Sequence, residues 1–263
     1  MRAKLETVDV TFDEDSGIGQ VTMNRPDSLN ALSYQLRNDI IEGLELLYSQ
    51  NEETSAPGVR VVILQGAEGN FCAGADINEF DEREPGKELD REHYDVIMEY
   101  PVPIIAKIQG YCLGGGFETA MSCDLRIAHE DSRLGVPEVN LGMIPGSGGI
   151  QFISEYMNSA VAKEMAMTGK HITGREACEY NLVNDVHGDE TFGDAVQELT
   201  ETIASKPPLA IQAVKESADL GSAIVERRKH DRLQSNYLKT TDDHKEGVRA
   251  FANNDYQPSF KGK

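Results

Sequence analysis

Basic residues are in short supply. The chain carries 25 Lys and Arg against 45 Asp and Glu, a formal net charge of −20 over 263 residues, and such a surface repels a phosphate backbone at ordinary salt. Nucleic acid is therefore not an expected partner. High salt screens self-repulsion of this kind, which points to a halophilic host, with an acidic mesophilic surface the alternative. Cysteine is sparse too. Cys72, Cys112, Cys123 and Cys178 show neither a CxxC pair nor a Cys/His metal pattern, which argues against a zinc site and for a reducing compartment. No stretch approaches about 18 consecutive apolar residues, and the start, MRAKLETVDV, lacks the apolar segment of a signal peptide. No membrane partner is expected, and the expected location is cytoplasmic. His93, His129, His171, His187, His230 and His244 have no paired metal-ligand spacing, and no serine sits in a GxSxG elbow, so metal and serine hydrolysis lose support. Low-complexity linkers and solenoid-period repeats are also missing.

What is present reads as an α/β body followed by a helical tail. VDVTFD and IGQVTMN read as two strands joined by an acidic turn ending in Ser16-Gly17, a hairpin signal. Asn24-Arg25-Pro26-Asp27 breaks the second strand. From Ser33, the expected cap, the pattern Leu36, Ile40, Ile41, Leu44, Leu47 predicts a helix to about Gln50. Val59–Gln65 and Val102–Gln109 are β-branched apolar runs expected as covered strands. Each is followed by a glycine-rich loop, 66–76 and 110–116, and then by a helical segment. A further strand is expected over 125–128. Thr173-Gly174-Arg175-Glu176 has capping-box spacing. Residues 190–254 hold helical patterns broken at Pro207-Pro208 and near Leu220-Gly221.

The chemistry is expected in the two loops. Phe71-Cys72-Ala73-Gly74-Ala75-Asp76 and Gly110-Tyr111-Cys112-Leu113-Gly114-Gly115-Gly116-Phe117-Glu118 let backbone N–H groups approach a ligand closely, and the second leads into a helix whose positive end lies there. Together they are suited to an oxyanion hole. Gly146-Ser147-Gly148-Gly149 looks like a phosphate loop but lacks the Walker lysine.

In their order along the chain these motifs resemble the crotonase superfamily, the enoyl-CoA hydratase/isomerase family, and within it the hydratase branch. The resemblance rests on Asn24-Arg25-Pro26 with Leu29-Asn30-Ala31, FCAGADI at 71–77, GYCLGGGFE at 110–118, CDLRIA at 123–128 and PEVNLGMIPGSGG at 137–149. Met167-Thr168-Gly169, Leu182-Val183, Lys215-Glu216-Ser217 and Asp242-Asp243-His244-Lys245-Glu246-Gly247 before Ala250-Phe251 extend it to nearly the whole chain. It implies an α/β fold, a crotonase-like spiral of ββα units over residues 1–195 carrying the active site. Residues 196–263 are then a helical region for capping and trimerisation. It also implies a coenzyme A thioester substrate, no separate cofactor, and a homotrimer or homohexamer.

By motif position, the resemblance implies that the N–H groups of Ala75 and Gly115 hold the thioester oxygen. Glu118 and Glu138 take the places of the two catalytic glutamates, Glu118 activating water and Glu138 protonating C2. Ala31, Ala73, Asp76, Ile77, Gly114, Pro145 and Gly146 are expected at the substrate, and Asp76 also orders its loop through local hydrogen bonds. No metal is implied. Phe71, Phe80, Tyr94 and Ile97 are candidates for the acyl path, with core packing the alternative.

The chain departs from many relatives where basic residues meet the coenzyme: Asp27, Asn78 and Asn253-Asn254-Asp255 stand there, leaving Arg25, Arg83, Lys87 or Lys261 as substitutes. The expected reaction is reversible hydration of a trans-2-enoyl-CoA to a 3-hydroxyacyl-CoA. Double-bond isomerisation, which can proceed with one glutamate, is the alternative. An RNA-binding relative or a purely structural oligomer is disfavoured by the charge and the carboxylate pair.

Overall fold

The computed structural model describes residues 1–53, 58–79, 92–219, 224–253 and 256–258. Its main sheet has seven strands among the described residues, in the order β1-β2-β3-β4-β5-β7-β10: β1 (Arg2–Lys4), β2 (Val8–Asp13), β3 (Ile18–Met23), β4 (Val61–Gly66), β5 (Ile104–Ile108), β7 (Leu125–His129) and β10 (Asp185–His187). The first three run antiparallel and every later pair is parallel. The hairpin of β2 and β3, the helix after Ser33 and the three apolar strands stand where the sequence pattern puts them. A second sheet of three short strands, β6 (Tyr111–Leu113), β8 (Arg133–Gly135) and β9 (Ile172–Thr173), has no counterpart in the sequence reading.

Strand alternation divides the core. Along β4, Val62 and Leu64 point into the main core with Leu36, Ile40, Leu44 and Leu47 of α1 (Tyr34–Glu53). Ile63 points to the other face, where it meets Ile127 and the Phe192 and Val196 side chains of α7 (Phe192–Ala204). Helices on both faces explain why β4 reads as a continuous apolar run. Helix α7 spans position 195/196 and packs on the sheet. The α1 start is capped as its sequence suggests, Ser33 Oγ accepting from Leu36 N at 3.1 Å.

Between β4 and β10 along the chain come α2 (His93–Glu99), α3 (Gly115–Ser122), α4 (Gly149–Tyr156), α5 (Ser159–Thr168) and α6 (Gly174–Glu179). Every residue of α3 is buried, and α6 opens with the Thr173/Glu176 capping box. The tail comprises α8 (Pro208–Asp219), α9 (Ile224–Leu238) and α10 (Asp242–Ala252), with the break before Pro208 as expected and that at Leu220-Gly221 outside the described residues. Helix α9 packs on α4, and α10 on a 3-10 helix, Pro137–Leu141. Among the described residues no helix is long and apolar enough to cross a membrane.

Candidate active site

Three loops zip together at the carboxyl ends of the central strands. Cys72 N donates to Tyr111 O (2.8 Å) and Leu113 N to Cys72 O (3.0 Å), so the two glycine-rich loops run side by side. On the other side, Leu32 N donates to Gly74 O (2.8 Å) and Asp76 N to Leu32 O (3.1 Å). Gly74, at φ +114°, turns the chain so that its neighbour's amide faces across the gap. Ala75 N and Gly115 N, the latter at the first position of α3, donate to no backbone acceptor among the described residues. They border one space: a Cβ built on Gly115 would lie 3.8 Å from Ala75 N, and one built on Gly74 4.0 Å from Gly115 N. Two unspent donors converging on one point are the geometry an oxyanion requires.

The carboxyls lie beside them. Glu118 projects from the first turn of α3 and its Oε1 accepts from Ser147 N (2.6 Å) and Gly149 N (2.9 Å). Gly148, at φ +107°, bends the backbone so that both amides point at the same oxygen. Burial pushes the Glu118 carboxyl up to about 7 against the downward pull of those two bonds and of Arg228. Glu138 sits in the Pro137–Leu141 helix and is 8% exposed, not solvated as a post-proline turn residue commonly is. Its Oε2 is buried without a hydrogen-bond partner, and burial plus the neighbouring Glu118 drive its pKa well above the carboxylate range. Gly114 (φ +51°) separates it from the amide pair: a Cβ there would stand 3.1 Å from Glu138 Oε1. The two amides favour the charged form of Glu118, while burial and the neighbouring Glu118 favour the protonated form of Glu138, an arrangement suited to dividing base and acid between two glutamates.

The other expected residues fall around this centre. Ala31, Ala73 and Ile77 lie on the zipped loops. Asp76 orders its loop as expected, accepting from Asn78 N and Nδ2 at 3.1 and 3.0 Å, and it also takes Arg25 Nη2 at 2.9 Å. Arg25 donates in addition to Ala31 O, so it braces these loops. Pro145 packs under Gly149, and Gly146 faces Ser235 of α9. Tyr94 places its hydroxyl 2.9 Å from where a Gly115 Cβ would be; burial, then Glu118, keeps the phenol protonated. Phe71 and Ile97 are core side chains, whereas Phe80, Arg83, Lys87, Asn254, Asp255 and Lys261 lie outside the described residues. Sequence reading missed the Ser147 and Gly149 amides and Arg228. The glycine pair before α4 was the available signal for the first two. No group of three or more possible metal ligands occurs among the described residues.

An amide pair and a carboxyl pair thus stand together on an α/β frame. Residues 13–263 match the Enoyl-CoA hydratase/isomerase family. The chain is 34% identical to the (E)-benzylidenesuccinyl-CoA hydratase of Thauera aromatica, covering 96% of this chain and 99% of that protein. It is 32% identical to the 2,3-dehydroadipyl-CoA hydratase of Escherichia coli, covering 92% and 94%. Among solved structures, carnitinyl-CoA hydratase from Mycobacterium avium superposes with a TM-score of 0.85 at 31% identity, covering 99% of this chain and all of that one. This chain belongs to the enoyl-CoA hydratase/isomerase family and has the crotonase fold.

Proposed function

We propose that the protein catalyses the reversible addition of water to a trans-2-enoyl-CoA, giving a 3-hydroxyacyl-CoA. The observation that carries this reading is the buried pair Glu118 and Glu138, one bonded to two backbone amides and the other with a buried oxygen that has no partner among the described residues, beside the free amides of Ala75 and Gly115. The thioester oxygen lies between those two N–H groups, which stabilise the charge that collects there as C3 is attacked; a donor of this kind lowers a barrier by roughly 3–4 kcal/mol. Glu118 takes a proton from water, whose oxygen bonds to C3, and Glu138 gives its proton to C2. One water is consumed and no electrons change hands, so the reaction calls for no cofactor beyond the coenzyme A of the substrate itself. Isomerisation uses the same amide pair but needs only one proton shuttle, so the second carboxyl favours hydration.

Crotonyl-CoA loses its conjugated absorbance on hydration. We expect rapid loss with the wild-type protein and a fall of at least about 10²-fold in kcat for Glu138→Gln, in line with removal of a general acid. Folded protein that leaves crotonyl-CoA intact but converts a 3-enoyl-CoA to the 2-enoyl isomer would overturn hydration in favour of isomerisation.

A further inference from the structure

The turn that holds Glu118 is itself held from the tail. The Ser147 and Gly149 amides must both reach one oxygen, and the turn through Gly148 that aims them needs a support that fixes its one productive geometry. Arg228 of α9 supplies it. Its Nε donates to Ser147 O at 2.7 Å, orienting the peptide between the two amide donors. Its stem covers Gly148 so closely that a Cβ there would collide with Arg228 Cγ. The guanidinium is anchored from α2, where Nη1 lies 3.2 Å from Asp95 Oδ1 and 2.8 Å from Met98 Sδ. A second strut runs parallel, with Arg232 Nη2 2.7 Å from Glu92 Oε2 and 3.8 Å from Asp95 Oδ2. Glu92 also accepts from Ser147 Oγ at 3.4 Å.

We propose that Arg228 is a positioning residue for Glu118: from helix α9 it fixes the Ser147–Gly149 turn and sets the charge felt by the carboxylate. This rests on the reading of Glu118 as the group that activates water. The arginine is 5% exposed and its Nη2 is buried with no hydrogen-bond partner among the described residues, an arrangement that costs stability. A cation needed only for packing would be better replaced by an apolar side chain. The charged and titratable groups facing Glu118 are Glu138 from the 137–141 helix, Glu92 and Tyr94 from the α2 end, and Arg228. Around Arg228 stand Asp95 and the buried His93 of α2, with Arg232 on Glu92 beside them and, one turn on in α9, Asp231, which takes Gln151 Nε2 at 2.9 Å. The charge of Arg37 on α1 also acts on Tyr94 and His93.

The charges predict shifts of opposite sign. Arg228→Met removes the cation and raises the midpoint at which Glu118 titrates. Asp95→Asn keeps a hydrogen-bond acceptor for Arg228 but removes the anion that offsets it, and lowers that midpoint. The test is carboxyl-carbon NMR of the protein labelled in glutamate, with the Glu118 signal assigned by Glu118→Gln, alongside crotonyl-CoA kinetics against pH. We expect a rise of about half a pH unit or more for Arg228→Met and a fall for Asp95→Asn. For Arg228→Met, kcat should drop roughly ten- to hundredfold through loss of alignment, with KM within about threefold. Arg228→Lys should recover part of both.

A Glu118 midpoint that moves in neither variant overturns the proposal, as does an Arg228→Met protein that melts earlier but keeps its kcat and pH profile. If Arg228→Met does not fold, Asp95→Asn decides alone, a downward shift supporting the proposal and none overturning it. The NMR arm needs no turnover, so a wild-type protein that fails to hydrate crotonyl-CoA would sink the functional reading while Arg228 is still judged.

Discussion

At the scale of single residues, the carboxyl pair makes a testable link between function and stability. A carboxyl whose pKa is raised on folding keeps its proton in the folded state over a pH range where the unfolded chain has lost it. Above the unfolded value of 4.5 such a group therefore costs stability as pH rises. Replacing Glu138 with Gln removes the cost, so Glu138→Gln should melt higher than wild type at pH 8 and about level with it near pH 5. A gain of roughly 2–4 °C corresponds to about 1 kcal/mol in a chain of this size, and calorimetry at the two pH values checks it. The same states shape the rate. Hydration needs Glu118 ionised and Glu138 protonated, so kcat/KM should fall on the acid side as Glu118 takes a proton, near its value of about 7, and on the alkaline side as Glu138 loses one. A flat profile between pH 6 and 9 would contradict the assignment.

Both glutamates were legible because glycines and prolines flank them in recognisable strings. The Ser147 and Gly149 donors were not, since a main-chain N–H carries no side-chain signature. Arg228 was invisible for another reason: it lies 81 residues from the carbonyl it holds, and nothing local in α9 marks it.

At the scale of elements, the site depends on the tail. Helix α10 lies against the 3-10 helix that carries Glu138. His244 Nδ1 is 2.7 Å from Leu141 O, and Gly247 rides so close that an added Cβ would stand 2.7 Å from both Leu141 Cα and its carbonyl carbon. Gly247→Val should therefore push α10 off Leu141, destabilising the fold by about 1–3 kcal/mol and lowering hydration through displaced Glu138; thermal melts and crotonyl-CoA turnover measure the two together. An unchanged kcat with a lowered melting point would confine α10 to a structural part. Long elements were legible because their patterns are sustained, one apolar stripe along α1 and a β-branched run in β4. The second sheet was not. Its strands have two or three residues, too few for alternation to show, and they exist because neighbouring loops meet, a fact of tertiary structure.

At the scale of the molecule, the tail exposes Leu209, Val214, Leu233, Tyr237 and Phe251, each more than half accessible, on a chain otherwise clothed in acid. Apolar groups in such numbers on α8, α9 and α10 suit a surface covered by other copies. The family resemblance implies three or six copies, so sedimentation is expected to find three or six times the 28.9 kDa chain, and a stable monomer at micromolar concentration would contradict that expectation.

The charge of −20 bears on salt in two separable ways. Self-repulsion between surface carboxylates weakens as the Debye length falls from about 10 Å at 0.1 M to about 3 Å at 1 M, so the melting temperature should climb with KCl over that range. Substrate binding should respond differently. Salt screens the attraction between phosphates and cations, and the resemblance implies that Asp27 and Asn78 replace basic residues that meet the coenzyme in many relatives. Arg25 is already committed to Asp76 and Ala31. With few ion pairs to the phosphates, little attraction is lost to screening, and the KM for crotonyl-CoA should stay within about threefold from 0.1 to 1 M KCl. A steep rise in KM would show that cations elsewhere in the chain grip the phosphates. A melting temperature that falls with salt would show that attractive pairs, such as Lys215 with Asp124 at 2.9 Å, outweigh the repulsion of the acidic surplus.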